Sequence, residues 1–389
     1  MIEIGLAGKP NCGKSTFFKA ATLADAEIAD YPFTTIKPNV GVGFVKVRCV
    51  CTSLKVKCEN CINGWRFIPV KIIDVAGLVP DAHKGRGLGN EFLDNLRRCE
   101  GIIHVIDVSG STDEEGNKVE IGFRDPIEDI KFLNRELDMW LFGILKRNWD
   151  KILRRSLVEK VEVSKLIHNQ LAGLGFKEWQ IKEALLQIGK HPKDFKNNDL
   201  LKFSNELRKR RMKMIIAANK ADIAPDTLLR KVVKSYSENV IPTSALYELI
   251  LKTAAKNNYI QYIPGDSSFK ILKDLNEKQR KVLNLISKYL QKFGSTGVQD
   301  AINKLVFDVL DYVVVYPVED ENKFTDSAGN VLPDAFLVKK GTTVKEFAYM
   351  IHTELGEKFI CAIDAKRKMK IPEDYKIKNG DVIKIVSAA

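Results

Sequence analysis

The stretch GKPNCGKS, Gly8 to Ser15, decides the fold of this 389-residue chain. It fits the pattern G-x-x-x-x-G-K-[ST] without a mismatch, and it follows a short apolar run that begins at Ile2. Glycines at these positions let backbone N–H groups turn inward around phosphate oxygens, and a following helix points its positive end at the same anion. We therefore predict a strand, a phosphate-binding loop and a helix from Ser15 to Leu23.

A second phosphate-side motif, Asp74-Val75-Ala76-Gly77, ends an apolar strand. Lys14 is expected to neutralise the β- and γ-phosphates, and Ser15 and Asp74 to hold Mg²⁺, Asp74 through water. The Gly77 N–H is expected to meet the γ-phosphate. The predicted nucleotide-contacting residues of the first loop are Gly8, Pro10, Asn11, Cys12, Gly13, Lys14, Ser15 and Thr16.

Base recognition is predicted from Asn219-Lys220-Ala221-Asp222, which follows another apolar strand. The Asp222 carboxylate can accept two hydrogen bonds from guanine N1–H and N2, whereas adenine offers no such donor pair. Asn219 is expected to brace the loop and the stem of Lys220 to cover the base. Backbone N–H groups of Thr243, Ser244 and Ala245 are expected to meet guanine O6. GTP and Mg²⁺ are therefore the predicted cofactors.

Strands alternate with helices up to about residue 275, which predicts an α/β fold with a doubly wound, mostly parallel sheet. Apolar spacing of three and four within residues 127–211 predicts a helical insertion. The predicted division is a nucleotide-binding domain over 1–126 and 212–275, this insertion, a helical connector over 276–309, and a small α+β domain over 310–389. In the last domain we expect a helix from Val344 to Leu355.

Charge is concentrated in the insertion. The chain carries a net charge of +12, and Gly143 to Lys213 contains 18 Lys and Arg against 8 Asp and Glu. Such a basic excess favours nucleic acid as a partner, with Arg208-Lys209-Arg210-Arg211, Arg154-Arg155 and Lys146-Arg147 as candidate phosphate contacts. A solvated helix face is the alternative. No apolar run is long enough to span a bilayer, and the N-terminus lacks a signal-peptide pattern, so we expect no membrane partner and a cytoplasmic protein with reduced cysteines.

The motifs together resemble the Obg-like P-loop GTPases. Tyr31-Pro32-Phe33-Thr34-Thr35 is similar to their switch I, and the Gly-rich segment Lys84 to Phe92 after Asp74-Val75-Ala76-Gly77-Leu78-Val79-Pro80 points to the YchF subfamily in an archaeal-type form. The C-terminal segment, with Gly341-Thr342-Thr343 and Asn379-Gly380-Asp381, resembles a TGS domain of β-grasp fold.

The resemblance implies a GTPase switch associated with the ribosome or RNA through the insertion and the TGS domain. It makes Thr35 the threonine that senses γ-phosphate and Mg²⁺. Leu78 stands where Ras-like proteins have a water-orienting glutamine, which implies slow intrinsic hydrolysis or stimulation by a partner. Many YchF proteins alter the Asn219–Asp222 box and prefer ATP, but here the box is intact. An ATPase of the same fold and a nucleotide-binding scaffold with negligible turnover remain the alternatives.

Four cysteines, Cys49, Cys51, Cys58 and Cys61, lie within thirteen residues as C-x-C and C-x-x-C. They are candidate ligands of a structural Zn²⁺, although C-x-C is an unusual zinc spacing. A disulfide, or a strand cysteine pair beside two exposed loop thiols, would explain the same pattern.

Overall fold

A computed structural model describes residues 1–22, 40–75 and 98–388. The main sheet has six strands in the order β2-β3-β1-β4-β5-β6, and every pair is parallel except β2 with β3. Its strands are β1 Glu3–Ala7, β2 Val40–Arg48, β3 Trp65–Asp74, β4 Gly101–Asp107, β5 Lys213–Asn219 and β6 Val240–Pro242. The predicted α/β class and mostly parallel sheet are confirmed. The five mutually parallel strands β3, β1, β4, β5 and β6 end at one edge, which places their following loops together.

Helices cover this sheet and form the insertion. They are α1 Lys14–Thr22, α2 Cys51–Leu54, α3 Pro126–Glu159, α4 Val163–Leu171, α5 Glu178–Ile188, α6 Asn197–Arg211, α7 Asp226–Tyr236 and α8 Ala245–Lys256. Asp125 caps α3 by accepting a hydrogen bond from the Ile127 N–H, and Pro126 occupies the first turn, where no N–H is needed. The apolar faces of α3 to α6 enclose a separate core that contains Leu141, Trp149 and Phe203.

The segment predicted as a connector is part of the main core. It contains α9 Glu277–Phe293, α10 Val298–Asn303 and a π-helical turn Lys304–Val309. Between α8 and α9 lies a two-stranded hairpin, β7 Ile260–Gln261 with β8 Lys270–Ile271. Ala301, Ile302 and Leu305 pack in the same apolar cluster as Ile4 and Val70. The sequence pattern showed helices here, but it did not show against which surface they pack.

The C-terminal region forms a second sheet in the order β10-β9-β13-β11-β12. Its elements are β9 Tyr312–Pro317, β10 Phe336–Lys339, α11 Val344–Ile351, α12 Thr353–Glu357, β11 Phe359–Asp364, β12 Met369–Ile371 and β13 Asp381–Ser387. Strand β9 pairs with β13 in parallel and the other pairs are antiparallel, as expected for a β-grasp fold. The single helix predicted here was wrong, because the backbone turns extended at His352 and two short helices result.

Candidate nucleotide-binding site

The phosphate loop joins β1 to α1, as predicted. Gly13 has φ +93°, and a Cβ at this residue would lie 2.2 Å from the Asn219 side-chain nitrogen. Only glycine fits this position, since both the backbone angle and the close contact exclude a side chain. The Phe17 N–H donates to the Gly13 carbonyl at 2.9 Å, so the loop passes directly into the helix.

Three polar side chains predicted at phosphate and Mg²⁺ lie together. Lys14 donates to Asp74 Oδ1, and Ser15 Oγ lies 3.1 Å from Asp74 Oδ2. The side chains of Lys14 and Asp74 are about nine-tenths buried. The structure therefore brings the ammonium, the hydroxyl and the carboxylate of two separate motifs to one point. Pro10 and Thr16 are half-buried and Asn11 is exposed on the same loop. Thr35 and Gly77, the other predicted phosphate-side residues, lie outside the described residues, as does Leu78.

Asn219 links three loops at this edge. Its side-chain N–H donates to the Cys12 carbonyl at 2.9 Å, and its Oδ1 accepts from the Ala245 N–H at 3.0 Å. The bracing contact expected of Asn219 is therefore present in the structure. The N–H groups predicted to meet guanine O6 also have acceptors within the chain, and their contact with guanine stays a prediction. The N–H groups of Thr243, Ser244 and Ala245 donate to the carbonyls of Ala218 and Thr296 and to Asn219, so these three already have protein acceptors.

The ammonium of Lys220 is held by a buried carboxylate that the sequence analysis did not single out. Lys220 Nζ lies 2.8 Å from Asp107 Oδ2, and the hydroxyls of Ser109 and Thr112 also donate to this carboxylate. Burial opposes ionisation of Asp107, but these donors outweigh it and hold its pKa below the usual value. Asp107 is the last residue of β4, and this position at a strand end was the feature of the sequence that could have identified it as a site residue.

The predicted base-reading residue, Asp222, is half-buried beside two tyrosines. Burial raises the pKa values of the Tyr247 and Tyr289 hydroxyls, and the charge of Asp222 raises both further. The two rings meet edge to face, with centroids 5.5 Å apart. Tyr247 follows the Ser244-Ala245 motif, whereas Tyr289 comes from α9, and no sequence signal connected that helix with the base site.

A buried ion-pair network joins the phosphate loop to the start of the insertion. Lys9 Nζ lies 2.8 Å from Asp129 Oδ2 and donates to the Thr112 carbonyl, also at 2.8 Å. Asp129 also accepts from Arg124 Nε at 2.9 Å. The 112–122 segment lies against the loop as well, since Asn11 donates to the Gly116 carbonyl at 2.9 Å. Cys12 lies buried in the same loop, and burial raises the pKa of its thiol to about 12. The thiol therefore stays protonated, and Cys12 fills space and does not act as a nucleophile.

The four-cysteine cluster lies at the opposite edge of the sheet. Strand β2 ends at Arg48, so Cys49 lies beyond the strand and Cys51 begins α2. The backbone turn brings both thiols towards Cys58 and Cys61. Strand β3 separates this cluster from Asp74 by ten residues, or about 30 Å.

The predicted basic run at the end of α6 is not a free surface. Arg208 is buried in an ion pair with Asp138 at 2.6 Å, Arg210 pairs with Glu206 at 2.5 Å, and Arg211 donates to the Gly175 carbonyl. The expectation of an exposed run was wrong for Arg208 in particular. Two other predicted candidates, Arg147 and Arg154, are exposed and share one face of α3 with Lys151.

The family of the chain follows from this fold, from the site and from comparison with known proteins. Family models described as 50S ribosome-binding GTPase, as the G4 motif-containing domain of a YGR210-like Obg-like GTPase, and as TGS domain match residues 3–136, 217–320 and 328–387. The chain belongs to the Obg-like P-loop GTP-binding proteins and carries a C-terminal TGS domain.

Two relatives and one solved structure illustrate the similarity. A GTP-binding protein of Methanocaldococcus jannaschii, named as uncharacterised, is 53% identical over 400 residues, with all of both chains covered. A protein of Buchnera aphidicola named ribosome-binding ATPase YchF is 26% identical over 403 residues, covering 98% of each chain. The crystal structure of a GTP-binding protein from Pyrococcus horikoshii is 40% identical, with a TM-score of 0.78 and full coverage of both chains. In the described part of the chain, every helix is too short or too polar to cross a membrane.

Proposed function

We propose that this protein is a Mg²⁺-dependent GTPase that acts as a molecular switch and associates with the ribosome or RNA in the cytoplasm. The observation that carries the proposal is the meeting of Lys14, Ser15 and Asp74 at one point, with Asn219 tying their loop to the base-side loops. Phosphate charge and base identity would be sensed at the same sheet edge.

The chemistry proposed is transfer of the γ-phosphoryl group to water without a covalent intermediate. Lys14 neutralises charge on the β- and γ-phosphates. Ser15 and Asp74, with Thr35, would hold Mg²⁺, and their hard oxygen donors suit this cation. When bound, the ion neutralises charge that develops on the phosphate oxygens. With Leu78 in place of a glutamine, positioning of the water depends on another group, so intrinsic turnover should be slow.

Guanine selectivity is assigned to Asp222. Among the described residues, the Asp222 carboxylate makes no hydrogen bond or ion pair, and it acts on Tyr247 and Tyr289 only through its charge. Both of its oxygens are therefore available to guanine N1–H and N2. An adenine base would leave this half-buried carboxylate without donors. The ATPase alternative is favoured by the name of the Buchnera relative, and the intact Asn219–Asp222 box argues against it.

Ribosome or RNA contact is assigned to the exposed face of α3. Arg147, Lys151 and Arg154 lie one turn apart, whereas the run at the end of α6 is held in ion pairs. The names of the matching 50S ribosome-binding family and of the Buchnera relative support a ribosomal partner. Binding through phosphates would weaken steeply with salt. Replacing the three residues with Gln should weaken ribosome binding and reduce the salt slope, while Lys278→Gln, on exposed α9, serves as the control.

Titration calorimetry with GTP and with ATP, both with Mg²⁺, tests the nucleotide assignment. A GTP preference of about tenfold, or about 1.4 kcal/mol, is expected. Equal or tighter ATP binding would make the protein an ATPase of the same fold. Turnover measured with and without ribosomes then separates a GTPase from a scaffold, since a scaffold would bind nucleotide and ribosome without release of phosphate.

A further inference from the structure

The four cysteines of the β2–β3 connection form a compact cluster. Cys49 and Cys58 sulfurs are 3.7 Å apart, Cys51 and Cys61 sulfurs are 3.6 Å apart, and all four lie within 4.8 Å of one another. Four thiolates around Zn²⁺ at about 2.3 Å in tetrahedral geometry require sulfur separations of about 3.8 Å. The observed cluster is close to this arrangement before any movement of the chain.

The backbone of the connection holds the thiols in place. The Cys49 N–H donates to the Gly64 carbonyl at 2.9 Å, and Ile62 and Trp65 exchange two backbone hydrogen bonds of 2.9 Å. The turn between them has Asn63 and Gly64 both at positive φ, which is the tight hairpin turn preferred by Asn-Gly. The sulfur of Cys61, just before this turn, therefore lies close to that of Cys51. The other three cysteines, Cys49, Cys51 and Cys58, are buried.

A buried cation lies beside these thiols. Arg66 is 5% exposed, its charge acts on Cys49, and one of its terminal nitrogens donates to the Leu332 carbonyl. Within residues 1–22, 40–75 and 98–388, no carboxylate pairs with this guanidinium, and its Nε has no hydrogen-bond acceptor. A buried charge of this kind requires an opposite charge nearby. A zinc ion with four thiolates carries a net charge of −2 and would supply it.

The cluster also lies where the β-grasp domain docks. Cys49, Cys51 and Cys58 share one apolar cluster with Tyr316 and Leu332 of that domain. The Asn60 side chain donates to the Pro333 carbonyl at 3.0 Å. The connection between two strands of the main sheet is therefore one of the surfaces on which the C-terminal domain packs.

We propose that Cys49, Cys51, Cys58 and Cys61 bind one structural Zn²⁺ as thiolates, and that this ion fixes the docking surface of the β-grasp domain. Binding releases the thiol protons to solvent and involves no redox step. The site is independent of the proposed nucleotide chemistry, because about 30 Å separate the two along β3.

The test begins with the full-length wild-type protein, purified under reducing conditions and analysed for metal by mass spectrometry. One zinc per chain is expected, and the four cluster thiols should be protected from a thiol reagent until a strong chelator is added. Reconstitution with Co²⁺ should give the intense visible bands and the sulfur charge-transfer bands of a tetrahedral thiolate site. Cys61→Ser, at the least buried ligand, should lower zinc content at least tenfold, whereas Cys361→Ser on β11 should leave it unchanged.

Hydrogen exchange measures the docking role. Removal of zinc should speed amide exchange around Asn60 and Leu332, while exchange around Phe17 in α1 and Phe347 in α11 stays unchanged. Metal-free protein with four reactive thiols would overturn the proposal. Disulfides from Cys49 to Cys58 and from Cys51 to Cys61 would also overturn it. Zinc binding without any change in exchange on chelation would overturn the docking role.

Discussion

The nucleotide edge and the cysteine cluster both bury cations beneath loops of the same sheet, but they surround them with different partners. At the nucleotide edge, Lys9 and Lys14 each meet an aspartate of another segment. At the cysteine cluster, Arg66 donates to the Leu332 carbonyl and lies over the Tyr316 ring, and its charge acts on Cys49. The chain itself therefore neutralises the cations at the nucleotide edge, whereas under our zinc proposal the thiolates around the metal supply the negative charge beside Arg66.

The largest effect is expected from Lys14→Ala at the nucleotide edge. Loss of a buried charge contact to the phosphates should weaken GTP binding on the order of 10³-fold, about 4 kcal/mol. Calorimetry or displacement of a fluorescent nucleotide measures it. Lys19→Ala is the matched control, since Lys19 is exposed on the same helix. Unchanged GTP affinity in Lys14→Ala would refute the assignment of the phosphate site.

Breaking the Lys9–Asp129 pair comes next. Lys9→Met should lower the free energy of unfolding by about 3 kcal/mol. The buried Asp129 carboxylate would lose one of its two cationic partners and keep only Arg124. Urea denaturation measures the loss. Lys281→Met removes an exposed pair with Glu277 and should leave stability unchanged. Equal stability of the wild type and Lys9→Met would show that burial, and not pairing, sets the energy of this network.

His104 is a buried titratable group of a third type, because its imidazole stays neutral in the folded chain. Burial within β4 lowers its pKa to about 3. The unfolded chain therefore binds a proton below pH 6.5 that the folded chain does not, so this contribution to stability is lost as the pH falls from about 6.5 towards 3. Between pH 7 and 4.5 this loss of stability amounts to about 2.5 kcal/mol. His104→Leu should remove this component from urea midpoints measured at both pH values, and an unaltered pH dependence would contradict it.

The smallest effect concerns base selectivity. Asp222→Asn should reduce the preference for GTP over ATP about tenfold, or about 1.4 kcal/mol, because an amide cannot accept both guanine hydrogen bonds. Competition binding with the two nucleotides measures the ratio. Asp226→Asn, an exposed carboxylate at the start of α7, is the control. If the ratio is the same in Asp222→Asn, another group reads the base.

Local chemistry allowed much of the fold and site to be predicted. The Gly8–Ser15 motif predicted strand, loop and helix, because Gly13 needs a backbone angle that other residues avoid. Alternating strands and helices predicted a mostly parallel sheet, and the motifs were expected directly after apolar strands. The end of the helix predicted from Val344 to Leu355 was less accurate, because the backbone becomes extended at His352.

The class of fold, the phosphate loop and the residues expected at nucleotide and metal could therefore be predicted from the amino-acid sequence. Which charges are paired could be seen only in the folded structure. Arg208 belongs to a basic run in the sequence, yet Asp138, seventy residues earlier, neutralises it across two helices. Likewise, Tyr289 reaches the base-side loops and Arg66 reaches the cysteines only through packing. Ion pairs and contacts between residues far apart in sequence depend on how close the folded elements lie in space. Local sequence patterns do not contain that information.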